Sequence, residues 1–403
     1  MLQKSGPVYL LWIWIPLVSV TVSLGCKSET ATPSAEEIAY LADYETSANK
    51  WGYIDKTGKL VIEAVFDDVG QFSEGLAAIN QNGKWGYIDR KGKMVIPIIY
   101  KSGWAFHENR ARVKPFDQPD SYIYPSGTSL ASAQWSAAGD FSEGLALVKV
   151  GNLFGYIDST GSMAIQPIYA RGQNFRHGLA VIEIEERSGV INKAGELVVP
   201  ARFDKIILPE EAGIILCMQA NTAEAFDFSG RQLVKLENAN MTASDGHLIV
   251  FNRDDKYYFY DLDHAGSKPT MPYDHIIPLG QHRWAGRKGE EYSLLDNEGE
   301  KIDTILYQQI NHFKEGVAAY RKNKTWGYLN LNGEVLSSNI FRMAWDFNEG
   351  VARVAGESGI TKAVGNNGLL FINKEWKVPI YPPSGTLDVR DFSEGLSPVQ
   401  LIH

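Results

Sequence analysis

A chain of 403 residues exceeds the size at which one hydrophobic core usually keeps growing, so several domains or a repeat architecture are expected. Apolar residues make up 44% and charged residues 22%, with 38 glycines, which excludes a disordered or collagen-like chain and describes a folded, turn-rich one. A net charge of -9, with acids spread along the chain and no basic stripe, excludes a nucleic-acid binder and disfavours adsorption to anionic membranes.

The first element is an apolar run. Val8 to Gly25 carry no charge, follow Lys4 and end on Cys26, after which the sequence turns polar at once (KSETATPSAEE). Residues 1–25 therefore read as an export signal. The Gly25-Cys26 junction resembles that of bacterial lipoproteins, whose cysteine becomes the acylated N-terminus, although Ser23 stands where those sequences usually carry Leu. An uncleaved helix of these 18 residues, barely enough to span a bilayer, and simple secretion are the rival readings. The expected location is the bacterial cell envelope, with a lipid anchor at Cys26. The outer membrane is favoured over the inner because Lys27 does not resemble the aspartate that retains lipoproteins in an inner membrane. Residues 26–50 read as a linker lifting the rest off the membrane, with a short helix started by Ser34 and Glu37 in capping-box spacing.

From residue 51 to 403 the chain repeats itself. WGYIDKTGKLVI from Trp51 and WGYIDRKGKMVI from Trp85 are followed by degenerate copies, so that units start near 51, 85, 120, 154, 188, 223, 257, 292, 326 and 369. A second phrase, FSEG followed by a Leu-Ala run, recurs from Phe72, Phe106, Phe141, Phe175, Phe313, Phe347 and Phe392 in the same register. A fixed period near 34 residues marks a solenoid, propeller or array. Gly-Tyr-Ile-Asp and Leu-Val-Ile suit paired strands. Between them Asp55 and Gly58, Asp89 and Gly92, Asp158 and Gly161 read as hairpin turns, the acid capping backbone donors and glycine taking the positive-φ position. Each unit is thus predicted to be a three-stranded β-meander that must stack on its neighbours. The predicted fold is an all-β tandem array of about ten such units. A propeller-like ring or curved superhelix is preferred, because closure protects strand edges; an extended β-solenoid is the alternative.

At Trp51 to Gly58, Trp85 to Gly92 and Trp326 to Gly333, with the FSEG phrases, the chain resembles the bacterial WG-containing repeat family over about residues 51 to 403. That resemblance implies an all-β repeat protein without catalytic residues, common on exported or multidomain bacterial proteins.

Chemistry is harder to find. Glu74, Glu143, Glu315, Glu349 and Glu394 recur at one equivalent position, which suits acids satisfying turn donors better than a general acid, needed only once or twice. Asp261 and Asp263 carry a DxDxxG fragment reminiscent of calcium loops, but the closing Glu is missing, so they form only a weak calcium candidate. The histidines form no HExxH or i, i+4 pair, so no metal site and no cofactor are expected. Cys217, in GIILCM, reads as a buried hydrophobe rather than a nucleophile.

The informative position lies two residues before the FSEG phenylalanine. Gly70, Trp104, Gly139, Gln173, Asn311, Trp345 and Arg390 stand there, variable inside a regular frame. Trp104 and Trp345 are the candidate ligand-stacking residues, with Trp284 and Trp135 weaker ones, the rival reading being that they fill gaps left by degenerate neighbours. The expected function is a non-catalytic binding lipoprotein presenting its β-surface to a protein or glycan. The alternatives are a hydrolase with its site in the degenerate stretch 201–291, or a purely structural envelope role.

Overall fold

The computed structural model of the chain describes residues 34–42, 48–130, 135–209, 213–264, 266–267, 272–356, 368–376 and 380–402. The expected signal segment and Cys26 lie outside them.

The Asx-x-x-Gly turns form as their residue types require. The Asp55 carboxylate accepts the N–H groups of Thr57 at 2.8 Å and Lys59 at 3.2 Å, and Gly58 follows at φ 83°. Asp89, Asp158, Asn192, Asp227, Asp296 and Asn330 repeat the arrangement. In the FSEG phrase, Glu74 and Gly75 take successive positive φ values of 54° and 83°, a tight reversal between Ser73 and Leu76 of the kind that suits right-twisted hairpins. The glycine after the repeat tryptophan has another cause: a Cβ on Gly52 would lie 2.4 Å from the Ile62 carbonyl oxygen, because the next strand crosses directly over it.

Where three strands per unit are expected from the sequence, most sheets have four. The additional strand is short and precedes the FSEG phrase: Asp68–Val69 pairs with Leu76–Gln81, followed by Lys84–Asp89 and Met94–Tyr100. One sheet, or blade, therefore takes its first two strands from the end of one sequence unit and its last two from the start of the next. Among the described residues ten blades of three or four strands succeed one another. Blade 2 is the sheet just given; blade 3 holds Ser102–His107, Arg110–Lys114 and Ser121–Ile123, and blade 4 begins at Ala137–Ala138. Blades 5 to 9 begin at Arg171, Lys205, Asn240, His275 and Gln309. Blades 9 and 10 share the long strand Val335–Asn348 and form one six-stranded sheet.

Blade 1 closes the circle. Its strands run in the order Leu60–Phe66, Lys50–Asp55, Leu396–Leu401, Thr386–Val389, so the first repeat strand pairs antiparallel with the last strand of the chain, Lys50 opposite Leu401 through Asp55 opposite Leu396. The array is accordingly a ring of propeller type, and neither an open superhelix nor an extended solenoid.

The core lies in the seams between blades. The regular seams are filled by an aromatic pair, as in Tyr53 with Phe72 at 4.9 Å, Tyr87 with Phe106 at 5.2 Å and Tyr156 with Phe175 at 4.8 Å between ring centres. The FSEG glutamate crosses the seam as well. Backbone N–H groups of the next blade's turn donate to it: Asn109 to Glu74, Gly144 to Glu108, Gly178 to Glu143, Gly350 to Glu315 and Gly395 to Glu349. On the rim, the fourth strands expose Val65, Ile99, Ile168 and Leu197, but Pro97, Pro167 and Pro200 leave those edges short of donors for further pairing. The helix Ala35–Ala42 starts with the Glu37 N–H bonded to Ser34 Oγ at 3.0 Å and packs on blades 2 and 3 through the ion pairs Glu37–Lys84 and Glu36–Lys101. This part of the linker is thus fixed to the ring rather than free.

Candidate binding site at the ring axis

The short first strands line the axis, because side chains leaving one blade there reach the first strand of the next. Arg390 donates to the Val69 carbonyl and to Asp68 Oδ1, and Arg353 donates to the Val389 carbonyl. The variable position, two residues before the phenylalanine, follows immediately on these strands at Gly70, Gly139, Gln173, Asn311 and Arg390 and lies within the longer strands Ser102–His107 and Val335–Asn348 at Trp104 and Trp345. Its backbone is held rigidly. The hydroxyls of Tyr53, Tyr87, Tyr122, Tyr156 and Tyr328 donate to the carbonyls of Gly70, Trp104, Gly139, Gln173 and Trp345 in turn, each 17 residues on. A buried tyrosine hydroxyl needs an acceptor, so one bond satisfies the ring and fixes the axial carbonyl together. Burial pushes the Tyr53, Tyr87, Tyr122, Tyr156 and Tyr328 hydroxyls far up, so they stay protonated donors.

Trp104 and Trp345 are half-buried at this position, and both carry a guanidinium on one face. Arg112 lies 3.9 Å from the Trp104 ring centre and Arg353 lies 4.3 Å from that of Trp345. A third stack, Arg390 on Trp51 at 4.1 Å, reverses the roles: the arginine holds the variable position and the indole is buried. Each arginine also faces an acid of the following blade: Arg112 with Asp140 at 3.3 Å, Arg353 with Asp391 at 3.8 Å, and Arg390 with Asp68 at 2.9 Å. The stacks therefore tie the half-buried Trp104 and Trp345 to the following blades. The sequence does not reveal the arginines, since nothing in a spacing of eight residues, Trp104 to Arg112 and again Trp345 to Arg353, signals a stacked pair without the hairpin that folds one strand onto the other.

The other expected residues fall elsewhere. Trp284 is fully buried, edge-on to Phe259 at 5.3 Å, and offers no accessible face; it fills a seam where the repeat tyrosine is replaced, and this corrects its assignment as a ligand-stacking residue. Trp135 is buried against Tyr122. Asp261 is buried and its carboxylate takes the Asp263 N–H at 2.9 Å and His264 Nδ1 at 2.8 Å, the ordinary turn role with a histidine added. His247, Asp261 and Asp263 place ligand atoms within 4.8 Å of one another, one nitrogen and two oxygens, a sparser and softer donor set than calcium takes. Cys217 is buried, and burial pushes its thiol up to about 12, which leaves it inert at neutral pH.

The FSEG acids are tied into the ring electrostatically. Burial alone would raise the carboxyl of Glu349, but the N–H of Gly395 and the ammonium of Lys56 outweigh it and hold the group below its ordinary value; Glu143 and Glu315 behave alike, through Gly178 with Lys193 and through Lys374 with Gly350.

The family described as "WG containing repeat" matches residues 51–85, 85–114, 122–154, 154–187, 189–215, 292–326 and 326–355, more than half of the chain. No curated protein matches the sequence. Among solved structures, one titled as a eukaryotic initiation factor is 8% identical, with 77% of this chain and 96% of that one covered and a TM-score of 0.47. Hsv2 of Kluyveromyces lactis is 8% identical, covering 66% and 98% at a TM-score of 0.32. BamB of Moraxella catarrhalis is 10% identical, covering 87% and 97% at 0.31. Likenesses this distant carry no argument about function.

Proposed function

This chain belongs to the WG containing repeat family, and on that premise we propose that it is an exported, lipid-anchored binding module whose ring axis recognises a protein or glycan. One observation carries the reading. The axial carbonyls of Gly70, Trp104, Gly139, Gln173 and Trp345 are pinned by the same tyrosine hydroxyl bond, while their side chains differ from nothing to an indole. A constant frame with varied display is what distributed recognition over stacked repeats requires. Half-buried indoles ringed by arginines and acids offer both apolar contact and hydrogen bonding, the composition of interface anchors. Anchoring is assigned to Cys26, in the envelope and with preference for the outer membrane.

The test is capture from envelope extract by the chain and by its Trp104→Ala/Trp345→Ala double variant, with matched circular dichroism. A partner retained by the first and lost by the second supports the proposal. Equal capture by both, or none by either, overturns it. Labelling with radioactive palmitate, present in the chain and absent from Cys26→Ala, tests the anchor separately.

A further inference from the structure

We propose that His247, Asp261 and Asp263, where two hairpin turns of blade 7 meet, bind one divalent transition-metal ion of the zinc class. The sequence departs from its own repeat twice at this point. The turn between the first two strands is fixed by Asp245 pairing with Leu248, as Ser73 pairs with Leu76 in blade 2. The regular turn carries Glu74 and Gly75 at positive φ; here the positive φ of 60° falls on Gly246, and His247 stands in the place of Gly75. Glycine at the first position is the II′ form of a two-residue turn, whose second position accepts a side chain. The turn between the third and fourth strands is longer than its counterparts. Asp261 is followed by its glycine, Gly266, five residues on, where Asp55 is followed by Gly58 three residues on. The insertion brings in Asp263 and His264. A hydrogen bond from the Leu262 N–H to the His247 carbonyl, at 2.9 Å, ties one turn to the other.

The three side chains offer one ligand atom each, all within 4.8 Å of one another. Imidazole nitrogen and carboxylate oxygen bind zinc at about 2.0–2.2 Å, and three protein ligands with a fourth place left to water is a known zinc arrangement. Donor atoms around such an ion lie about 3.4 Å apart, so the set must contract. The exposed Asp263 and the half-buried His247 are free enough to do so by side-chain rotation. Asp261 is the fixed member. It is 1% exposed, its Oδ1 takes the Asp263 N–H at 2.9 Å, and its Oδ2 faces His264 Nδ1 at 2.8 Å. Outer hydrogen bonds of this kind orient metal-binding carboxylates. Burial raises the Asp261 carboxyl, but His264 and the turn N–H groups outweigh it and hold the group below its ordinary value, so it is an anion ready to bind. Glu298, from the corresponding turn of blade 8, lies 3.8 Å from His247 Nε2 and adds a third negative charge beside the imidazole. One nitrogen with few oxygens favours a borderline ion over calcium, which takes about six to eight oxygens. Bound there, the ion staples the two turns of a blade whose fourth strand, Gly266–Ser267, is only two residues long.

The experiment is titration of the full chain, stripped of metal by a chelator, with zinc chloride in competition with a chromophoric zinc indicator. His247→Gly, which restores the repeat's own residue, and Asp263→Ala are compared with His107→Ala, a control at an exposed histidine of blade 3. The expected result is one tightly held zinc per chain, weakened about tenfold or more in His247→Gly and in Asp263→Ala and unchanged in His107→Ala. Zinc should also raise the thermal unfolding midpoint of the unaltered chain and of His107→Ala more than that of the two site variants, and calcium at the same concentration should leave it unmoved. Asp263 is exposed, so its variant keeps the test open should replacement of His247 prevent folding. Absence of saturable zinc binding, undiminished binding to folded Asp263→Ala, or calcium held as tightly as zinc would each overturn the proposal. The site is independent of the axial reading, since Trp104 and Trp345 belong to blades 3 and 10.

Discussion

The backbone N–H of Gly75 in blade 2 donates to the carboxylate of Glu394 in blade 1 at 3.0 Å, across 319 residues of sequence. The bond has the geometry of Gly178 on Glu143 and Gly350 on Glu315, so the junction that closes the ring is one more copy of the junction inside it. Ser393 Oγ on the Phe72 carbonyl repeats Ser73 on Phe106 and Ser142 on Phe175 in the same sense.

Equivalence of the seams predicts equal costs. Glu394→Ala and Glu143→Ala should each destabilise the chain by about 1–2 kcal/mol in urea titrations, the scale of a lost charge-assisted hydrogen bond. A terminal acid in an open array would be nearly neutral, so a silent Glu394→Ala beside a costly Glu143→Ala would count against closure.

The tyrosine hydroxyls should matter individually and add. Tyr53→Phe leaves the Gly70 carbonyl without its donor, at a cost of about 1–3 kcal/mol. Tyr156→Phe acts in a distant seam, and the double variant should equal the sum of the two within about 0.5 kcal/mol by denaturant unfolding.

Acid should loosen the ring. The folded carboxyls of Glu143, Glu315 and Glu349 sit below their ordinary values, so the folded chain binds fewer protons than the unfolded one. Their contribution is complete above the unfolded glutamate value near about 4.3 and is lost as pH falls through the lowered folded values. Asp227, held at about 2 by the Ser229 hydroxyl and by Arg231, keeps its carboxylate and its turn down to that pH. The midpoint of thermal unfolding, followed from pH 6 downward, should fall below pH 5 and fall less steeply in a Glu143→Gln variant.

Core and axial tryptophans should separate cleanly. Trp284→Ala empties a fully buried site and should cost about 3–5 kcal/mol. Trp345→Ala removes a half-buried ring with one guanidinium contact and should cost about 1–2 kcal/mol. Equal costs would mean that Trp345 is part of the core and not a displayed residue.

Much of this architecture is legible in the sequence, because its determinants are local. The Asp55-to-Gly58 turn, the positive-φ pair Glu74-Gly75 and the apolar strands of each unit are set within a few residues. The fourth strand is not legible: Asp68–Val69 is two residues long and polar at its first position, and it becomes a strand only by pairing with Asn80 and Ile79. Ring closure is hidden for a related reason, since nothing near Trp51 says that its partner is Gln400. At the candidate site, Trp104 and Trp345 are visible as departures from the repeat, but the arginines stacked on them and the acids of the next blade come together only across a hairpin and a seam. Trp284 misleads because its burial depends on Phe259 standing where a tyrosine usually does.

Everything placed at the axis depends on the ring being closed, and the pairing of Lys50 with Leu401 tests that directly. Lys50→Cys/Leu401→Cys, in a Cys217→Ser background, should form an intramolecular disulfide under mild oxidation, leave the β-rich circular dichroism unchanged and raise the unfolding midpoint. Failure to form that bond, with each single variant folded and its thiol freely alkylated, would contradict the closed ring.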